Sequence, residues 1–316
     1  MACLPYHTPA LLSQCIDSLA IRPGGVYVDC TFGGGGHSRA IVERLDAAQG
    51  GHLYGFDQDA DAVRRFSEGD LAHDPRFTMV YSNFRYIANF MRFYGVCGEV
   101  DGVLADLGVS FHHFDDPERG FSFRWPEGPL DMRMNRLARR TAADLLAAAD
   151  EEQIALWLKL YGDLSSARRL ARAIVRARQQ EAIVSCGQLL EAVRPAIDPR
   201  QEKKELAQVY QALRIVVNDE FGALEQMLRG ALRVLRPGGR LAVITYHSLE
   251  DRLVKNFMRT GNFDGREEKD FFGRRLSPVK PLGSKPVVPD AEEVERNPRC
   301  RSAKLRVAVK LAENDL

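Results

Sequence analysis

Four consecutive glycines, Gly33 to Gly36, stand between an acid, Asp29, and a stretch of helical character that begins at His37. Backbone amides bare of side chains can close on a polar ligand, and glycine accepts the left-handed turns that such an approach needs. A second acid, Asp57, follows about 20 residues later, the spacing at which a carboxylate takes hydrogen bonds from ribose hydroxyls. A third, Asp106, stands near the end of the apolar run Val100–Leu107. Glycine turn and ribose acid together describe a nucleoside-cofactor site at the C-terminal edge of a parallel sheet. In outline that site suits a nicotinamide dinucleotide and S-adenosylmethionine equally, or a tight strand–helix corner with no ligand.

The elements that must position these residues are legible upstream and downstream of them. Apolar runs predict strands at Val26–Thr31, His52–Phe56, Phe77–Tyr81 and Val100–Leu107, and helical periodicity predicts helices at Ser38–Leu45, Asp59–Phe66 and Ile87–Tyr94. Such alternation argues for a parallel sheet with right-handed crossovers, covered by helices. The rhythm breaks between Asp115 and Arg136, which are rich in Gly, Pro, Phe and charge. Helical segments follow at Ala142–Ala149, Glu151–Tyr161, Ser165–Arg178 and Cys186–Ala196. The α/β pattern then resumes with a helix over Asp219–Leu235, a turn over Arg236–Gly239, and a strand over Arg240–Tyr246. A helix over Asp251–Met258 and a strand over Ala303–Leu311 complete it, with residues 260–300 expected as a long, partly mobile loop. The expected organisation is one nucleotide-binding domain, residues 1–114 and 214–316, interrupted by a helical insert over 115–213.

The chain's 316 residues, 45% of them apolar, can bury a substantial core. No apolar run approaches the ~20 residues that span a bilayer, and Met1–Thr8 lacks a basic, apolar leader, which predicts a cytoplasmic protein without a membrane partner. The six cysteines form no Cys-x-x-Cys pair and are expected as buried thiols, and the seven histidines make no metal-binding array. Net charge is only +1 but unevenly spread. Residues 1–135 hold 11 basic and 18 acidic side chains, residues 136–214 hold 14 and 10, and residues 252–310 hold 15 and 8. The basic stretches are either faces for a polyanion or ordinary solvated surface.

Three features weigh toward S-adenosylmethionine: Asp29 before the glycines, Asp106 where a sulfonium would point, and a further strand after the fifth. The segment from Asp29 to Arg39 (DCTFGGGGHSR) then resembles the first motif of the RsmH (MraW) family of 16S ribosomal RNA cytosine-N4 methyltransferases. Equally similar are His7 to Leu12 (HTPALL), Asp106 to Ser110 (DLGVS), Glu118 to Phe123 (ERGFSF) and Gly128 to Met134 (GPLDMRM). So are Gln211 to Ile215 (QALRI), His247 to Arg252 (HSLEDR) and Asn297 to Arg306 (NPRCRSAKLR). These strings follow the family's order over nearly the whole chain.

The resemblance implies a Rossmann-like, S-adenosylmethionine-dependent sheet whose helical insert meets RNA. It implies as substrate a cytidine in the decoding region of 16S ribosomal RNA, within the small ribosomal subunit. Gly33, Gly35, Gly36 and His37 would line the cofactor's amino-acid end, Asp57 would take the ribose hydroxyls, Phe84 would pack on adenine, and Asp106 would lie near the sulfonium. Where the family carries a glutamine after DLGVS this chain has His113, whose imidazole reproduces only part of an amide's hydrogen-bonding pattern. Both a cofactor contact and a loop-surface position stay open for it.

Chemistry supplies the rest. The exocyclic amine of cytosine is a poor nucleophile because its lone pair is delocalised, so an acceptor that takes its proton helps, and Asp106 is the residue placed for that role. His247 and Glu250 either cap a helix or border the base pocket. Arg119, Arg133 and the basic residues of the insert could hold RNA phosphates. Phe121, Phe123 and Trp125 could splay a base or serve as packing. An NAD-dependent oxidoreductase and a non-catalytic RNA-binding factor are the competing classes. The first lacks a second mononucleotide half, and the second has no reason to keep the glycines, Asp57 and Asp106 together.

Overall fold

The computed structural model describes residues 9–109 and 111–312. The elements run α1 (Leu12–Leu19), β1 (Val26–Asp29), α2 (Gly36–Val42), β2 (His52–Asp57), α3 (Ala60–Ser67), β3 (Phe77–Tyr81), α4 (Ile87–Phe93) and β4 (Val100–Asp106). A helical block follows: α5 (Phe111–Asp115), α6 (Ala142–Ala148), α7 (Glu151–Gly162), α8 (Ala167–Gln180), α9 (Cys186–Val193) and α10 (Glu202–Asn218). The chain continues through α11 (Glu220–Val234), β5 (Leu235–Thr245), α12 (Ser248–Thr260), β6 (Val279–Pro281), α13 (Ala291–Arg296) and β7 (Lys304–Lys310). It divides into two units, the first formed by residues 1–108 and 222–316 and the second by 109–221.

In the first unit seven strands form one sheet in the order β3-β2-β1-β4-β5-β7-β6. Strands β1 to β5 are parallel, whereas β7 runs antiparallel to both of its neighbours. The sheet is Rossmann-like, and the antiparallel pair at its far edge departs from the all-parallel dinucleotide order. Strand β1 is flanked by β2 and β4, with Asp29 opposite Gly55 on one side and Leu104 on the other. The strand order reverses at this point, so the crevice beyond the strand ends opens beside the C-termini of β1, β2 and β4. Those ends carry Asp29, Asp57 and Asp106.

Pleating sends successive residues to opposite faces and gives this sheet two cores. Val28, Phe56 and Val103 pack with Leu228 and Phe257 on one face, and Tyr27, Leu53 and Leu104 pack with Leu11 and Ile244 on the other. Burial on both faces explains why these strands read as continuous apolar runs rather than alternating ones.

Capping boxes start three of the second unit's helices, Thr141 with Asp144 for α6, Asp150 with Gln153 for α7, and Ser185 with Gln188 for α9, whereas α8 and α10 begin without a side-chain cap. Their apolar faces meet in a single core that includes Leu146, Ile154, Leu158, Leu170, Ile174, Leu189, Val209 and Leu213.

Three expectations need correction. Arg236–Gly239, read as a turn, lies inside β5, where Leu235 pairs with Val100 and the register then shifts to Gly102 opposite Arg240. Gly238, at φ 78°, lets the strand absorb the irregularity without ending. Residues 260–300, read as one long loop, contain β6 and α13, and Val287 bridges Leu305 of β7. The short β6 ends in Pro281, a residue tolerated at a sheet edge but one that reads as loop in a sequence. Of the cysteines expected to be buried, Cys15, Cys30, Cys186 and Cys300 are, but Cys97 is exposed, and Cys3 lies outside the described residues. No helix among the described residues is long and apolar enough to cross a membrane.

Candidate active site

The glycine-rich turn is tied down before it bends. Cys30 N–H donates to Leu104 O of β4 and Phe32 N–H to Phe56 O of β2, both at 2.8 Å. Gly33 (φ 52°) and Gly35 (φ 73°) then take the left-handed conformation. A Cβ on Gly35 would come within 2.9 Å of the Phe32 ring, and one on Gly36 within 2.8 Å of the Pro9 ring, so bulkier residues would push the turn outward. The N–H groups of Gly34, Gly36 and His37 find no acceptor among the described residues. They leave a short arc of donors able to face a carboxylate.

Asp29 is buried and engaged in shaping this loop. One oxygen accepts from Thr31 N at 3.0 Å, the other from Ser38 Oγ at 2.6 Å. Of its two expected roles, meeting a ligand's ammonium or orienting the loop, these bonds serve the second.

At the tip of β2, Asp57 accepts Gly33 N–H at 2.8 Å on Oδ2 and Asp59 N–H at 2.9 Å on Oδ1. Burial pushes its pKa up to about 6 despite these two bonds, which favour the charged form. Each oxygen keeps a further lone pair, so the carboxylate can accept two more donors, as a pair of vicinal hydroxyls requires. Beside it, Asn83 Nδ2 donates to Gln58 Oε1 at 2.7 Å, fastening the turn after β3 to the turn after β2. Phe84 sits in that turn, half-buried against the core, with Asn83 capping the turn through Arg85 N–H.

Asp106, at the end of β4, is the most constrained of the three. Its N–H donates to Thr31 Oγ1 at 2.7 Å, fixing the strand end against the loop. Its Oδ1 accepts the Tyr246 hydroxyl at 2.9 Å, and its Oδ2 lies 3.8 Å from His37 Nδ1, outside hydrogen-bond range. Burial raises its pKa to about 6, with His37 and the Tyr246 bond opposing that rise. Burial likewise pushes the Tyr246 phenol well up, and the Asp106 charge adds to the effect, so the hydroxyl stays a donor. His37 is buried, with Nε2 3.1 Å from Ala10 O. A carbonyl only accepts, so Nε2 carries the hydrogen directed at Ala10 O.

Tyr246 escaped the sequence reading, although it directly precedes the HSLEDR string. His247 is the N-cap of α12, its Nδ1 accepting from Glu250 N–H at 3.4 Å. Glu250 in turn accepts Tyr246 N–H at 3.1 Å and meets His247 Nε2 at 2.9 Å. The capping role therefore accounts for both residues.

The structure thus gathers Gly33, Gly35, Gly36, His37, Asp57, Phe84 and Asp106 along one rim of the first unit. His113 belongs to the second unit, on α5, where it is buried with its ring stacked on Phe121 at 4.9 Å. It is not a loop-surface residue. Arg119, read as a phosphate contact, is buried, and its Nη2 donates to the carbonyls of Arg133 and Met134. Carbonyls that enclose a guanidinium satisfy it without any ligand. Arg133 pairs bidentately with Asp131 and is likewise committed internally. Phe121 is buried in the second unit's core and Phe123 packs edge-on to Tyr210, whereas Trp125 stays partly exposed, its Nε1 donating to Phe114 O.

The sequence matches the MraW methylase family over residues 5–311. It is 60% identical over 306 residues to the ribosomal RNA small subunit methyltransferase H of Parabacteroides distasonis, covering 97% of this chain and 98% of that one. It is 58% identical over 305 residues to the protein of the same name from Phocaeicola vulgatus, covering 96% and 97%. The counterpart from Bacteroides thetaiotaomicron is 55% identical over 307 residues, covering 97% and 98%. With the glycine turn and the three strand-end carboxylates on one rim and a match running almost end to end, the chain belongs to the MraW methylase family.

Proposed function

We propose that this protein transfers a methyl group from S-adenosylmethionine to the exocyclic N4 of a cytidine in the decoding region of small-subunit ribosomal RNA. The observation that carries this reading is Asp106, a largely buried carboxylate held by Tyr246 at the end of β4, beside the glycine-rich turn. The small-subunit substrate follows the relatives' names, and the N4 position follows the family resemblance and the presence of an acceptor carboxylate.

The chain's own residues suit the donor. The unpartnered amides of Gly34, Gly36 and His37 would take its carboxylate, with the backbone of Gly33 and Gly35 shaping the turn. Asp57 would take the ribose hydroxyls on its remaining lone pairs, and the exposed part of the Phe84 ring would cover the adenine. His113 is proposed as a further contact, in place of the family's glutamine. When bound, S-adenosylmethionine supplies an electrophilic methyl on a sulfonium.

Asp106 acts on the nucleophile. As N4 forms its bond to carbon and the sulfur–carbon bond breaks, the nitrogen becomes acidic, and its proton passes to Asp106 Oδ2, the oxygen not engaged by Tyr246. Alignment of the two reactants is worth up to about 7–11 kcal/mol in well-oriented cases, and proton transfer typically adds 10²–10⁴-fold. The helical unit serves as the RNA domain, and the enzyme works in the cytoplasm on 16S ribosomal RNA within the small subunit. Methyl-group mapping on small-subunit RNA from cells with and without this protein tests the assignment. A methyl on N4 of a single decoding-region cytidine, lost with the gene, is expected, and an unchanged methylation map would contradict it.

A further inference from the structure

Helix α8 contains five arginines and no acid in the sequence ARRLARAIVRARQQ. Its register is fixed by burial of Ala167, Leu170, Ala171 and Ile174 against the second unit's core. Arg178 turns inward and donates to the carbonyls of Leu146 and Ala149. The other four, Arg168, Arg169, Arg172 and Arg176, are exposed. Arg172 lies 3.4 Å from Glu151 in an exposed pair that water and salt weaken. Arg168, Arg169 and Arg176 make no ion pair among the described residues.

Arg168, Arg172 and Arg176 are four residues apart, so each step advances about 6 Å along the axis and turns only about 40° around it. They form a nearly straight cationic row, with Arg169 beside its first member. Like charges at this spacing oppose helix formation, and an ordinary solvated face would interleave acids. The row therefore costs stability unless a polyanion lies along it.

We infer that the exposed arginine row of α8 is a docking track for the phosphate backbone of the RNA substrate. This deepens the proposed function and rests on it for the identity of the RNA. The step between arginines is comparable to the separation of successive phosphates along an RNA strand. Guanidinium forks suit phosphate oxygens geometrically, so the row positions the strand without reading its bases. An acidic protein would need carboxylates at matching intervals, whereas a nucleic acid strand supplies regular charge by its covalent structure.

The test is the salt dependence of binding of the full chain to small-subunit RNA transcribed in vitro. Loss of three phosphate contacts in R168Q/R172Q/R176Q should reduce the slope of log K against log salt by about 2 to 3 and weaken low-salt binding at least ~10-fold. S-adenosylmethionine affinity should be unchanged, since all three side chains are exposed and none is among the residues proposed to hold the donor. The R168K/R172K/R176K variant keeps the charges and should keep the slope. If the wild type methylates the RNA and the glutamine variant binds with an unaltered slope, the track is refuted while the methyltransferase reading stands. If the slope falls as expected but the wild type methylates no cytidine, the track stands and the proposed reaction fails.

Discussion

Strand β4 carries an aspartate near each end, and the first unit treats the two in opposite ways. At the N-terminal end, Asp101 accepts Val26 N–H and the guanidinium groups of Arg22 and Arg236. Burial there raises its pKa, but the bonds from Arg236, Val26 and Arg22 outweigh it and hold the carboxyl below its usual range. At the C-terminal end, Asp106 has no arginine or lysine among its described partners, and burial wins. The first is a carboxylate arranged for stability, a charge fully matched where the sheet begins. The second is kept under-compensated at the rim where ligands bind in such sheets, an arrangement that costs stability and keeps a proton acceptor poised near neutral pH.

Substitution at each end should separate the two roles. The largest effect is expected at the rim: Asp106→Asn should lower methyl transfer by about 10²–10⁴-fold in an assay with labelled donor, with donor affinity little changed. Normal turnover with weakened donor binding would make Asp106 a cofactor ligand only.

At the opposite end, Asp101→Ala should cost about 1–3 kcal/mol in denaturant unfolding, because it strands the Val26 N–H and two guanidiniums, while turnover per folded molecule holds. The same measurement on Asp106→Asn at pH 7.5 should show a gain, about 1–3 kcal/mol, since the substitution removes a buried charge. A loss of stability there would erase the contrast between the two ends.

The pH dependence has opposite sign at the two aspartates. Asp106 has a folded pKa of about 6 against an ordinary 3.8, so its contribution to stability is present below about pH 4 and is lost as pH rises through about 6. Asp101 is shifted downward, so its contribution is present above about pH 4 and is lost as pH falls through its lower folded value. Turnover should rise with pH through about 6 as Asp106 ionises, and a kcat/KM profile flat from pH 5 to 8 would remove it as the acceptor.

What the sequence made legible at this site follows from how the fold encodes it. Asp29, Asp57 and Asp106 each close a short apolar run, and in a parallel sheet such ends share one rim, so three separate runs point to one place. Tyr246 was hidden because its partner Asp106 is 140 residues away and meets it only when β5 pairs with β4. Arg119 misled for the reverse reason: charge suggests exposure, but backbone carbonyls from a loop 14 residues on enclose it. Pro and Gly hide the boundaries of β5 and β6, because they read as turn signals in a sequence but here sit at a bulge and an edge. The helical unit was easier, since its capping boxes are local in sequence.

Methyl transfer at this site requires an adenosyl donor on the rim of β1, β2 and β4. Calorimetric titration of S-adenosylmethionine into the wild type and Asp57→Ala tests it most directly. One-to-one binding by the wild type, weakened about 10- to 100-fold in the variant by loss of the charged hydrogen-bond acceptor, is the predicted result. Equal affinity in both proteins, or no binding to either, would contradict it.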